Sequence, residues 1–302
     1  MKGMALRTWV QALRVHQWLK NLLLFVPLLT AFSFVDVDNL LTVGLAFLAF
    51  SLAASATYIV NDWRDLESDR SHPRKSRRPF ASGALSVPSG LAVAAVLLVA
   101  AILVAYSVSR GVGNVLVLYL VTTTAYSLVL KEIVLIDVIT LSLLYTLRIV
   151  AGAVAIGVTT STWLLAFSVF MFLSLALVKR CAELVLLKQN ESVAASGRDY
   201  RVADLAVLWP LGVGSALSAV VVFGLFISAA ETQSRYASPE LLWLVAVGLI
   251  YWLSRLWIKT SRGEMDDDPV VYAIKDSASR IAILCIVAVV LVAYFVTLED
   301  AL

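Results

Sequence analysis

Nine apolar stretches, each long enough to cross a lipid bilayer, run along this chain at residues 18–35, 40–60, 88–108, 112–130, 133–157, 161–178, 205–230, 239–258 and 281–298. A spanning helix needs about 20 mostly apolar residues, and that requirement constrains the fold more than any other feature. The expected architecture is an all-α polytopic membrane protein, a bundle of nine helices forming one domain over residues 1–302. Composition agrees: 61% of the 302 residues are hydrophobic and 15% are charged, against about 25% charged in soluble domains.

Charge placement sets the expected orientation. With the N-terminus in the cytoplasm, the cytoplasmic segments are 1–17, 61–87, 131–132, 179–204 and 259–280, and these with their helix ends carry 21 of the 24 Lys and Arg residues. Only Arg110 and Arg235 fall on the other side, and Arg148 lies mid-membrane. The positive-inside bias therefore predicts N-in, C-out in the cell membrane. Lys2, Arg7, Arg14 and Lys20 surround an amphipathic run with no small-residue cleavage site, which argues against a removed signal peptide. Cys181 and Cys285 are far apart and lack metal-ligand spacing, so they are read as inert thiols. Chemistry is expected on the cytoplasmic side, where the long loops gather most of the acidic residues.

The loop after the second stretch reads Asn61-Asp62-Trp63-Arg64-Asp65-Leu66-Glu67-Ser68-Asp69. If the helix continues past Asn61, each residue advances about 100°, so Asp62, Asp65 and Asp69 share one stripe and Asn61, Asp65 and Asp69 align beside it. Carboxylates and an amide on one face repel unless a cation lies between them. Mg²⁺ suits, since it takes oxygen ligands, keeps waters and bridges carboxylates to substrate phosphates. The competing reading is a solvated helix end whose acids pair with Arg64 and Arg70 at helical spacing. The run Arg74, Lys75, Arg77, Arg78 and Pro79 follows. It reads as a membrane-surface anchor, as a phosphate grip, or as both, with Arg77 and Arg78 as the expected substrate contacts and Arg74 as the anchor.

Asn61 to Asp69 resembles the NDxxDxxxD signature of the UbiA superfamily of membrane-embedded prenyltransferases, and Lys75-Ser76-Arg77-Arg78-Pro79 resembles the basic-proline stretch that follows it there. His16-Gln17-Trp18-Leu19-Lys20-Asn21 before the first span and Tyr126 to Lys131 after the fourth extend the likeness over nearly the whole chain. The resemblance implies a UbiA-type helical bundle with cytoplasmic active-site loops around a lipid-accessible cavity, and Mg²⁺ on the first Asp-rich motif touching a substrate diphosphate. Asn61, Asp62, Asp65 and Asp69 are then the metal and diphosphate residues. Lys20, Lys75, Arg77, Arg78, Tyr126, Lys131 and Arg148 are expected around the substrates.

The second half departs from that pattern. Residues 179–204 contain no DxxxD, reading Lys179-Arg180-Cys181-Ala182-Glu183 with Asp199, Tyr200 and Asp204 further on. This block resembles the branch that includes decaprenyl-phosphate phosphoribosyltransferase, in which the diphosphate leaves a ribose and a lipid phosphate attacks. Physically, a second anionic substrate is repelled by a second acid cluster, whereas Lys179 and Arg180 are able to hold its phosphate while Glu183 orients one of them. The plainer reading is that Lys179 and Arg180 end the sixth helix at the membrane face, favoured by its dipole.

Asp137 and Arg148, eleven residues apart in the fifth span, share a helix face but are separated by about 16 Å along it. Ionisable groups there face a cavity, a substrate or a neighbouring helix. Lys131 either completes a phosphate ring or snorkels to the headgroups. The adjacent acids Asp266, Asp267 and Asp268 read as a solvated turn, Asp276 is given no role, and the lone His16 and His72 read as interfacial. Nothing points to nucleic acid, and oligomerisation is left open.

The reaction that the resemblance implies is Mg²⁺-dependent transfer from phosphoribosyl diphosphate, or a related diphosphate, to a polyprenyl phosphate. Asp62, Asp65, Asp69, Lys179, Arg180 and Glu183 are the expected catalytic set. The alternative is transfer of a prenyl group from prenyl diphosphate to an aromatic or other acceptor. A lipid-phosphate carrier without chemistry has little use for aligned carboxylates beside a phosphate grip.

Overall fold

The computed structural model describes residues 2–71, 75–189, 198–265 and 268–297; Arg74, His72, Asp266 and Asp267 lie outside them. Among the described residues thirteen α-helices follow one another: α1 (Lys2–Ala12), α2 (Val26–Thr30), α3 (Val37–Arg64), α4 (Leu66–Ser71), α5 (Val87–Val108), α6 (Arg110–Leu128), α7 (Ile136–Ala155), α8 (Thr162–Gln189), α9 (Leu205–Ser228), α10 (Ala230–Gln233), α11 (Leu242–Ser261), α12 (Pro269–Lys275) and α13 (Ser277–Phe295). Among the described residues eight helices are long and apolar enough to cross a membrane, not the nine expected.

The difference lies in the first stretch. Residues Val15–Phe25 form a 3₁₀ helix that hands over to the five-residue α2, with Pro27 in its first turn. Proline has no N–H to offer and fits the start of a helix, so Pro27 suits a fresh helical start here, and residues 18–35 do not form one unbroken α-helix. Side chains secure the 3₁₀ segment: Trp18 Nε1 donates to Ser55 Oγ at 3.0 Å, Asn21 Nδ2 to Ser51 Oγ at 3.1 Å, and Ser55 Oγ to the Leu13 carbonyl at 2.8 Å. These serines belong to a face of α3 rich in small residues, with Ala46, Ala49, Ala53, Ala54 and Ala56 buried. Small residues let helix backbones approach closely in membranes.

The chain forms two compact units, Met1–Val129 with Leu147–Thr160, and Leu130–Thr146 with Ser161–Leu302. α7 contributes its first half to the second unit and its second half to the first. In the first unit Gly152 lies so near the 3₁₀ segment that an added Cβ falls 2.0 Å from the Leu24 carbonyl oxygen. Buried Phe80 packs with Ala12, Ala56, Ile59 and Ala94. A Cβ on Gly90 comes within 2.4 Å of its ring. This anchor holds the basic stretch two residues upstream against α3.

In the second unit, Trp257 Nε1 donates to Ser174 Oγ at 3.0 Å and Ser174 Oγ to the Gly212 carbonyl at 2.9 Å, joining α11, α8 and α9. The sixth apolar stretch continues well past residue 178, because α8 runs through Lys179, Arg180 and Glu183 to Gln189. Those residues are the last turns of a long helix and not a loop.

Candidate functional site

The acidic motif forms where α3 ends. Asp65 takes the C-cap position of α3, and its N–H donates to the Asn61 carbonyl at 2.9 Å. The Asp69 N–H donates to the Asp65 carbonyl at 2.8 Å, so the helical path carries on into α4. Asp62 and Asp69 are buried, at 3% and 1% exposure. The local pairing with Arg64 and Arg70 does not form among the described residues. Arg64 donates instead to the Ser127 carbonyl at 3.4 Å.

Two distant arginines take the acids. Arg14 Nη2 lies 2.5 Å from Asp62 Oδ1, and a single nitrogen of Arg78 lies 3.3 Å from Asp62 Oδ1 and 2.6 Å from Asp69 Oδ2. Arg14 also covers the Tyr58 ring at 4.8 Å. Asn61 turns its amide nitrogen to Ser127 Oγ at 3.2 Å. Asp65 is half-buried, Arg77 and Lys75 are exposed, and Lys20 and Tyr126 are half-buried.

The donors here are oxygens, and Asp69 Oδ1 is a buried atom with no hydrogen-bond partner among the described residues. No three His, Cys, Asp or Glu side chains among the described residues converge as a ready cage. Mg²⁺ does not require one, being held typically by one or two carboxylates together with substrate phosphates and water. Asp62 and Asp69 fit that demand, with Asp65 and Asn61 flanking them.

The second unit builds a different polar cluster. Asp137 at the start of α7 is fully buried and accepts from Arg180 Nε at 3.2 Å and Nη2 at 2.6 Å. Arg180 Nη1 also donates to Glu183 Oε2, and Arg198 reaches both Glu183 oxygens at 3.3 Å. Tyr200 completes the cluster: its hydroxyl donates to Asp137 Oδ1 and accepts the Leu135 N–H at 2.9 Å. Burial first, then the hydrogen bond to Asp137, pushes the Tyr200 phenol above its ordinary value. The hydroxyl thus stays a donor to Asp137 while its oxygen accepts the N–H of Leu135, a residue at φ 66, a left-handed conformation uncommon outside glycine.

Arg180 is 1% exposed and held by two carboxylates, so its guanidinium does not face an outside phosphate. Glu183 orients it as expected, but into the protein. Lys179 is the accessible member, 42% exposed by its side chain and 3.5 Å from Asp268. Lys131 is half-buried in the short 3₁₀ turn before α7. Arg148, in the first unit, donates through Nε to Asn21 Oδ1 at 2.9 Å and through Nη2 to the Tyr119 hydroxyl at 3.0 Å. Asp137 and Arg148 each pair with side chains of other helices.

The sequence profile of the UbiA prenyltransferase family matches residues 22–275. The chain belongs to that family. It is 39% identical to the Sinorhizobium fredii protein y4nM over 92% of this chain, but spans only 54% of that protein's length. It is 34% identical to the nodulation protein NoeC of Azorhizobium caulinodans, covering 92% of this chain and 90% of that one. It is 38% identical to the decaprenyl-phosphate phosphoribosyltransferase of Mycobacterium tuberculosis over 72% of each. Among solved structures, a UbiA homolog from Archaeoglobus fulgidus bound to GPP and Mg²⁺ superposes with a TM-score of 0.69 at 16% identity, covering 93% of this chain and 99% of that one. The UbiA fold is therefore present.

Reading the UbiA motif from sequence missed Arg14, counted only as an orientation charge, and Arg198 and Tyr200, given no role. Arg14 is 48 residues from its partner. Its signal was a lone arginine just before the resemblance-bearing His16–Asn21 stretch.

Proposed function

We propose that this membrane enzyme of the UbiA family transfers a phosphoribosyl group from phosphoribosyl diphosphate to a polyprenyl phosphate. The observation that carries the proposal is the 38% identity to a decaprenyl-phosphate phosphoribosyltransferase over 72% of both chains, coinciding with a helix end that offers Lys179 where a second DxxxD is missing. In this reading the chain is one functional domain in the cell membrane, N-terminus inside, its substrates a soluble diphosphate and a lipid phosphate.

Asp62 and Asp69 would hold Mg²⁺, the metal bound in the Archaeoglobus relative. When bound, the metal supplies neutralisation of charge on the leaving diphosphate. Arg77, Arg78 and Lys75 grip the diphosphate oxygens through charge-assisted hydrogen bonds. Lys179 is assigned to the lipid phosphate, and Arg180 acts as scaffold. The bond from the ribose anomeric carbon to the diphosphate oxygen breaks with its electron pair, and a lipid phosphate oxygen bonds to that carbon. The attacking phosphate is already ionised, so no proton need be removed and no general base is required.

Purified protein with Mg²⁺, labelled phosphoribosyl diphosphate and polyprenyl phosphate is expected to yield labelled lipid and free diphosphate. Transfer from a prenyl diphosphate to an aromatic acid, with no labelled phosphoribosyl lipid, overturns the proposal.

A further inference from the structure

Two carboxylates of the acidic motif are already charge-compensated. Asp62 and Asp69 face Arg14 and Arg78, two buried carboxylates against two guanidinium ions. A bare divalent cation entering between them meets positive charge at contact distance, in surroundings that screen it poorly. A cation arriving with an anion does not, because the displaced guanidinium groups have oxygens to move to. Asp69 Oδ1, buried and without a partner among the described residues, marks a ligand position that Arg14 and Arg78 leave unsatisfied.

Arg14 is placed at some conformational cost. It sits at φ 49 and ψ 46, between α1 and the 3₁₀ segment. Glycine adopts that left-handed conformation without steric penalty, and an arginine there points to a function for its side chain. Its described partners are Asp62 and the Tyr58 ring, both on α3. Accessibility is asymmetric: the Arg14 and Arg78 side chains are 22% and 28% exposed, the Asp62 and Asp69 side chains 4% and 2%. The cations are able to turn outward to a ligand while the carboxylates stay in place.

We propose that Arg14 and Arg78 form a guanidinium pair that keeps the Asp62 and Asp69 carboxylates compensated at rest and admits a divalent metal only together with a diphosphate. The metal takes over the carboxylates as the diphosphate oxygens take over the guanidinium groups, a geometry arginine matches in bidentate fashion. This rests on the metal–diphosphate reading above and adds its binding order. Metal and diphosphate enter as a linked pair, each raising the affinity for the other by the same factor.

The test uses the full chain in nanodiscs. Electron paramagnetic resonance reads Mn²⁺ binding, and equilibrium dialysis with radiolabelled inorganic pyrophosphate, with and without Mg²⁺, reads the anion. The unaltered protein is expected to bind Mn²⁺ alone at least about tenfold more weakly than with pyrophosphate, and pyrophosphate alone correspondingly weakly. Arg14→Gln moves the two quantities in opposite directions, tightening Mn²⁺ alone by about tenfold and weakening pyrophosphate with Mg²⁺ by about tenfold. Arg14→Lys keeps the charge and restores weak binding of metal alone. Equal binding of Mn²⁺ with and without pyrophosphate overturns the inference, as does an Arg14→Gln that weakens both together along with the melting temperature. If the unaltered protein retains no pyrophosphate with Mg²⁺, the metal–diphosphate reading itself fails, an outcome distinct from a change confined to the Arg14 variants.

Discussion

Asp69 meets Arg78 at 2.6 Å through one carboxylate oxygen, while its other oxygen is buried with no partner among the described residues. A structural ion pair uses both oxygens when it is able to, so the orphan oxygen fits a ligand position. Asp69→Asn keeps the shape and one acceptor oxygen while removing the charge. The expected outcome is a loss of transferase turnover of about 10²–10³-fold, the size seen when a preorganised electrostatic partner is removed. The melting temperature should shift by only a few degrees. Turnover with saturating substrates, measured beside a thermal melt, checks it. An unchanged turnover removes Asp69 from the chemistry.

What the sequence made legible follows from the range of the interactions. Hydropathy is local, so the membrane-length helices were readable, and the acid motif and its basic partner stretch were recognisable as strings. Pairings across the fold were not. Helical spacing offers Arg64 and Arg70 to the acids, whereas the structure supplies Arg14 and Arg78 because Phe80 and the Trp18–Ser55 contact bring distant segments onto α3. In the same way Arg180 read as a phosphate-holding or helix-ending cation, since its partner Asp137 is 43 residues away. Pro27 alone did not reveal the break in residues 18–35, since Pro210 lies inside the continuous helix α9.

The Asp137–Arg180–Tyr200 cluster predicts a stability defect without a direct chemical one. Asp137→Ala leaves the Arg180 guanidinium buried with one of its two carboxylate partners gone. Losing one side of a buried ion pair costs about 3–5 kcal/mol. Tyr200→Phe removes a hydroxyl that both donates and accepts, and should cost about 1–3 kcal/mol for the buried groups left unpaired. Melts in detergent are expected to rank Asp137→Ala below Tyr200→Phe, and Tyr200→Phe below the unaltered protein. Equal melting of all three disproves the cluster's structural role.

Close backbone approach makes a paired test at two helical glycines. A Cβ at position 152 collides with the Leu24 carbonyl oxygen at 2.0 Å, whereas one at position 44 meets nothing within 4 Å. The first obstacle is backbone and has little room to yield. Gly152→Ala should destabilise the protein by about 1–3 kcal/mol, as overpacking does. Gly44→Ala, inside α3, should be neutral or gain up to about 1 kcal/mol from helix propensity. Comparing the two melts checks the approach of α7 to the 3₁₀ segment.

A dependence on pH follows from Asp276, which caps α13 and pairs with Arg255. Arg255 Nη1 lies 2.6 Å from Asp276 Oδ2, and the Ser279 N–H donates to the same oxygen at 2.8 Å. Burial pushes the carboxyl up, but the hydrogen bonds from Arg255 and Ser279 overcome it and hold Asp276 at about 2. An unfolded aspartate titrates at about 3.9, so between those values the unfolded chain binds the extra proton. The stabilisation is therefore complete above about pH 4 and lost as pH falls through about 2. Melting temperature measured from pH 5 down to the lowest pH the detergent tolerates should fall less steeply for Asp276→Asn than for the unaltered protein. The two curves are furthest apart at pH 5, where the intact pair and the charged cap stabilise only the unaltered chain. Parallel curves mean that Asp276 carries no such linkage.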